Sequence, residues 1–98
     1  MTTYHGYMVE ADFDGEILRM RGTNKAGRVA LAGAEHADGD VVLPRAAISD
    51  VALKGASMLV NGNLRVTAAD GKKYQLHFRK KQASEMEALA QALGARTE

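Results

Sequence analysis

Apolar and polar residues alternate with a period of two over residues 7–13: Tyr7, Val9, Ala11 and Phe13 fall on one side, Met8, Glu10 and Asp12 on the other. That period predicts a strand buried on one face. Asp14-Gly15 supplies the dipeptide a tight turn favours, and residues 16–22 return with Leu18 and Met20 set against Arg19 and Arg21. The pattern then breaks. Asn24 is a good helix N-cap and Val29 to Leu31 suit one short helix over about residues 25–32, stopped by Gly33. Gly27 opposes that reading, because interior glycine costs about 1 kcal/mol against alanine. Residues 34–40 read as a loop with a turn at Asp38-Gly39.

Alternation resumes in the second half. Residues 40–43 predict a short strand closed by Pro44, which has no N–H for a ladder. Residues 48–54 predict another, entered through a bulge. Asn61-Gly62 is the strongest hairpin signal in the chain and predicts pairing of residues 58–60 with 64–68, followed by a turn at Asp70-Gly71. Residues 73–80 place Tyr74, Leu76 and Phe78 inward and Lys73, Gln75, His77 and Arg79 outward.

The last segment changes period. Ser84 and Glu87 have the spacing of a capping box, and Met86, Leu89, Ala90 and Leu93 form an apolar stripe of helical spacing. Gly94 suits the C-terminal stop, giving a helix over about 83–94 with Thr97 and Glu98 frayed. The expected fold is mainly β (α+β): about seven antiparallel strands and one amphipathic C-terminal helix.

Composition narrows what such a fold does. A chain of 98 residues makes one domain, and a domain this small buries only a modest core. Aromatics are 5% and Trp is absent, so Val, Leu, Ile and Met carry the packing and stability is expected to be modest. A formal charge of +1 lacks the strongly basic footprint of a dedicated nucleic-acid binder. Zero cysteines remove disulfides, thiolate zinc sites and thiol chemistry, and fit a cytoplasmic protein. No basic segment followed by an apolar run marks an N-terminal signal, and no apolar run reaches the ~20 residues of a spanning helix.

Several segments together resemble a known set of domains. They are Asp14-Gly15-Glu16 with residues 17–21, Val42-Leu43-Pro44, Ile48-Ser49-Asp50-Val51, Lys54-Gly55-Ala56, Leu59-Val60-Asn61-Gly62 running into Leu64-Arg65-Val66, Gly71, Leu76 to Lys81, and the closing helix. This order is similar to the bacterial pleckstrin-homology-like domains of unknown function found in high-GC Gram-positive bacteria and their phages. The resemblance implies a bent antiparallel sheet or barrel plugged by the terminal helix. It implies no reaction, since that family has no established catalytic residues to carry over.

Candidate chemistry is sparse. His5, His36 and His77 lie in separate elements without metal-ligand spacing, and Glu10, Asp12, Asp14 and Glu16 are ordinary exposed charges of a hairpin. No nucleophile-elbow, zincin or phosphate-loop motif occurs, so no enzyme, metal or cofactor is expected. Two surfaces remain. Met58, Leu59 and Val60, with Asn61, put three apolar residues in a row beside a turn, and alternation buries either Met58 and Val60 or Leu59; the remainder is either a candidate contact for a protein partner or a second copy of the chain, or is covered by the variable loop on the face away from the core. The basic cluster Lys72, Lys73, Arg79, Lys80 and Lys81 is the other. Lys73 and Arg79 of it, with Arg65 across from them in the adjacent strand, are expected to share a sheet face, extended by Arg19 and Arg21 if their strand lies alongside; the face is either a solubilising surface with gatekeeper charges or a contact for anionic headgroups at a membrane surface. The expected function is therefore non-catalytic binding: protein contact or self-assembly first, an anionic membrane surface as the alternative, with a phage-encoded modulator of a host protein as a special case of the first.

Overall fold

The computed structural model describes residues 2–32, 40–57 and 59–97, apart from the side chains of Arg28, Ala30 and Ala32. The chain runs β1 (Thr2–His5), β2 (Val9–Phe13), β3 (Ile17–Gly22), α1 (Lys25–Ala32), β4 (Val41–Pro44), β5 (Ile48–Lys54), β6 (Gly62–Ala68), β7 (Lys73–Phe78), α2 (Ala83–Leu93) and β8 (Arg96–Thr97). Single 3-10 turns at Arg45–Ala47 and Lys80–Gln82 join the flanking elements.

Among the described residues the strands form two sheets of four, in the orders β1-β2-β3-β4 and β7-β6-β5-β8, and no closed barrel. In the first sheet the turn at Asp14-Gly15 sets the register Phe13↔Leu18 through Val9↔Gly22. Asp14 Oδ1 accepts the N–H groups of Glu16 and Ile17, and Gly15 takes a φ of 100°, a conformation in which a Cβ would be strained. Every second residue then faces inward: Val9, Ala11 and Phe13 from β2, Leu18 and Met20 from β3. Pro44 ends the edge strand β4, opposite Ile17, where a residue without an N–H breaks no ladder bond.

In the second sheet β5 enters through a register shift between Ile48 and Asp50, the expected bulge. Leu64, Val66 and Ala68 of β6 and Tyr74, Leu76 and Phe78 of β7 point inward, as alternation requires. α2 lays Met86, Leu89, Ala90 and Leu93 against β1 of one sheet and β5 and β6 of the other. Both sheets and both helices thus contribute to a single apolar core.

Five expectations need correction. The described residues form eight strands, because β1 and β8 were not foreseen; β8 pairs in parallel with β5, so Thr97 is held rather than frayed, while Glu98 lies outside the described residues. Leu59 and Val60 form no strand, and Met58 lies outside the described residues. β5, not a 58–60 strand, pairs with β6, from Lys54↔Asn63 onward. Gly62 is therefore a strand residue instead of a turn glycine. Finally, Ser84 and Glu87 form no capping box. Helical geometry begins a turn earlier, where Arg79 N–H donates to Gln82 Oε1 at 3.0 Å and Gln82 N–H returns to the Arg79 carbonyl at 2.9 Å.

The short helix near 25–32 does form. Asn24 Oδ1 accepts the Gly27 N–H at 2.8 Å, the bond of an N-cap, and α1 packs on β3 and β7. The expected stop at Gly33 and the 34–39 loop fall outside the described residues.

Candidate functional site

β5 and β6 are joined by residues 55–61, a loop tethered at both ends. Ala56 packs against the core, and Gly62 opens β6 opposite Phe78. A Cβ at position 62 would overlap the Phe78 ring and lie 2.8 Å from the Ala56 nitrogen, so glycine is needed for close packing. Between the tethers Ser57 folds the loop back on itself. Its N–H donates to the Val60 carbonyl at 2.8 Å, and its Oγ accepts the Val60 N–H at 3.1 Å and, more weakly, the Leu59 N–H at 3.4 Å. This turn throws two aliphatic side chains into solvent: Leu59 is 96% exposed and Val60 54%.

The register that seats Gly62 against Phe78 also decides what stands beside the loop. Residues following Phe78 emerge next to residues preceding Gly62, so Arg79, Lys80 and Lys81 come up against Ser57, Leu59 and Asn61. Together these six line an open hollow of about 500 Å³, with no carboxylate among its described lining residues. The basic turn is anchored from behind. Gln82 Nε2 donates to the Gly6 carbonyl at 2.9 Å, Tyr7 N–H donates to the His77 carbonyl at 2.7 Å, and the Arg79 guanidinium lies 4.1 Å from the centroid of the Tyr7 ring. Stacking of that kind steers a planar cation without neutralising it. Lys80 and Lys81 are exposed.

The two surfaces singled out from the sequence are thus rearranged. Leu59, Val60 and Asn61 of the first are exposed as a tip, with Leu59 and Asn61 in the hollow. Arg79, expected on the sheet face with Arg65 and Lys73, instead lies past the end of β7 in the same hollow. Arg65 and Lys73 stay on the outer face of the second sheet, at the registers Arg65↔Gln75 and Thr67↔Lys73. Six residues of strand, about 20 Å, separate Lys73 from Arg79. Arg19 and Arg21 belong to the other sheet. Arg21 is engaged there, bonded to Asp12 at 2.8 Å and Glu10 at 3.0 Å.

Several other titratable side chains have structural work. The Arg21 guanidinium and the Thr3 hydroxyl hold the Asp12 carboxyl below its usual range, and the turn N–H groups of Ile17 and Glu16 do the same for Asp14. Asp50 is lowered by a two-pronged contact with Arg96, at 3.1 and 3.2 Å. This pair borders a smaller hollow of about 200 Å³ between β5 and the end of α2. His5 Nδ1 is 3.0 Å from Glu85 Oε1, which raises the imidazole pKa. His77 sits half-buried in β7, and His36 lies outside the described residues. Among the described residues no three His, Cys, Asp or Glu side chains converge as metal ligands, and no helix is long and apolar enough to cross a membrane.

Comparison with protein-family models, curated proteins and solved structures finds no match. A pleckstrin-homology-like family is not identified by any of them.

Proposed function

We propose that this chain is a non-catalytic binding domain whose ligand is anionic and whose contact surface is the corner made by loop 55–61 and the basic turn at 79–81. The observation that carries this reading is the clustering of Arg79, Lys80 and Lys81 around one open hollow with no acidic residue among its described lining residues. Three cations brought together raise the local concentration of anions, and a surface site of this kind responds to salt. Ser57 and Asn61 add a hydroxyl and an amide that hydrogen-bond anionic oxygens. The catalytic alternative draws no support from the side chains on hand, since Asp12, Asp14, Asp50 and His5 each serve a turn or an ion pair.

The outer face of β6 and β7 is the competing cationic surface. It presents Arg65 and Lys73, which line neither hollow described above, and Arg65 has interactions of its own. An NMR titration with inorganic pyrophosphate separates the two. The expected amide shifts fall on residues 57–61 and 79–81, weaken with added salt and are lost in the double variant Lys80→Gln/Lys81→Gln. Shifts centred on Arg65 and Lys73, or none at all, would overturn this reading.

A further inference from the structure

Resting on that reading, we infer that the anionic ligand is the surface of an anionic phospholipid bilayer, entered by Leu59 and Val60. Cations alone explain attraction to any phosphate. They do not explain why the most exposed large aliphatic side chain of the described residues stands at the rim of the same hollow: Leu59 is 96% exposed, against 48% for Val42, the most exposed outside this loop. The bonds between Ser57 and both Leu59 and Val60, with the packing of Ala56 and Gly62, give that projection a structural cause.

Geometry and charge choose among occupants for this tip. A stable protein partner or second copy needs roughly 800 Å² from each side and a complementary surface, and two aliphatic side chains on a projecting turn provide a small part of that. A bilayer asks for no shape complementarity. It takes a protruding apolar side chain into the boundary between headgroups and acyl chains while basic neighbours stay among the phosphates. Lys80 and Lys81 have the long flexible stems that let an ammonium remain at headgroup level beside inserted carbon. Apolar insertion and electrostatic attraction act together here, and single weak anchors hold poorly on their own.

The test uses the full chain and vesicles of phosphatidylcholine, with and without phosphatidylglycerol. Flotation is expected only with the anionic vesicles and is expected to fall as salt rises. Leu59→Ser should weaken partitioning by about tenfold, the scale of one leucine partly returned to water. Lys80→Gln and Lys81→Gln should each weaken it by about fivefold. Because the chain contains no Trp, Leu59→Trp is a single reporter whose emission should shift to the blue on anionic vesicles. Position 59 touches too little to unfold the domain, and unchanged melting of both Leu59 variants checks this.

Vesicle binding with no loss in Leu59→Ser and no blue shift overturns insertion while leaving the anionic surface standing. Pyrophosphate shifts at the corner without vesicle binding overturn the bilayer and leave the anion site. Absence of both overturns site and bilayer together. Self-association by light scattering that is abolished in Leu59→Ser makes the tip a contact between copies and also overturns the inference.

Discussion

Two glycines show how a single side chain decides local structure. Gly62 has the sequence context of a hairpin turn, yet among the described residues the glycines with positive φ are Gly15, Gly71 and Gly94, and Gly62 is not one of them. Its role is to leave room for Phe78. Gly62→Ala should therefore destabilise the fold by about 1–3 kcal/mol, the range for overpacking a filled core, measured as a lower midpoint in urea. Gly27 sets two effects against each other. Alanine in a helix interior gains about 1 kcal/mol over glycine, but a Cβ here would run into the Met8 carbonyl, with the Met8 carbonyl carbon at 3.0 Å. Met8 holds a left-handed φ of 61° and its carbonyl accepts the Thr23 N–H at 2.9 Å, so it has little freedom to withdraw. The clash wins in this account, and Gly27→Ala should lower the melting temperature; a rise would mean that α1 slides away from β2 at little cost. The sequence made the glycine visible in both cases but hid its reason, because the obstructing group comes from a distant part of the chain.

At the scale of elements, legibility followed burial. Strands β2, β3, β6 and β7 bury alternate side chains, so their pattern was plain along the chain. β1 buries no residue fully, leaving no alternation to read, and β8 is a two-residue strand held by Ala52↔Arg96 and Leu53↔Thr97. The site was legible in pieces. Leu59, Asn61 and Arg79 each stood out, but bringing them together depends on the Gly62↔Phe78 register, and the Asn61-Gly62 signal pointed to a different pairing. Arg79 was assigned to the sheet face because alternation was carried one residue beyond the end of β7. β1 also carries a pH dependence. Its His5 meets Glu85 of α2 and lies 4.0 Å from Glu10, with Arg21 opposing more weakly. The hydrogen bond to Glu85 raises the imidazole pKa above its ordinary 6.5. A raised folded-state pKa stabilises fully below the unfolded value and fades as pH rises through the folded one. Exposure to solvent keeps this contribution small, so it should appear locally: exchange of the Tyr4 and His5 amides, corrected for intrinsic rate, should speed up as pH rises above about 6.5. His5→Gln should remove that dependence, and an identical profile in the variant would rule out this contact as its source. The helix cap gives a cleaner energy. Asn24→Ala removes the acceptor for the Gly27 N–H and should cost about 1 kcal/mol, read from the urea midpoint.

For the molecule as a whole, the question is how two separate four-stranded sheets come to share one apolar core. The sheets share no strand, and each alone would leave its apolar face in water. α2 resolves this by packing on β1 of one sheet and on β5 and β6 of the other, while α1 packs on β3 and β7 and joins them again. Removing volume from α2 should thus weaken both sheets together. Leu89 is fully buried within the common core, so Leu89→Ala should cost about 2–5 kcal/mol, as for other buried large-to-small changes. That is a large share of what a domain of this size possesses. In a chain this short each kcal/mol moves the melting temperature by roughly 4–8 °C, and the drop should be large enough to see without denaturant. Amides of β2 and β6, one from each sheet, should lose protection in parallel, because the variant loosens the packing both depend on. Loss confined to the β5–β6 side would show that the first sheet keeps its own stability, and α2 would then be a cover for one sheet instead of the link between two. The same coupling bears on the binding corner: loop 55–61 hangs from β5 and β6 and the basic turn leads directly into α2, so its geometry is only as firm as this helix is docked.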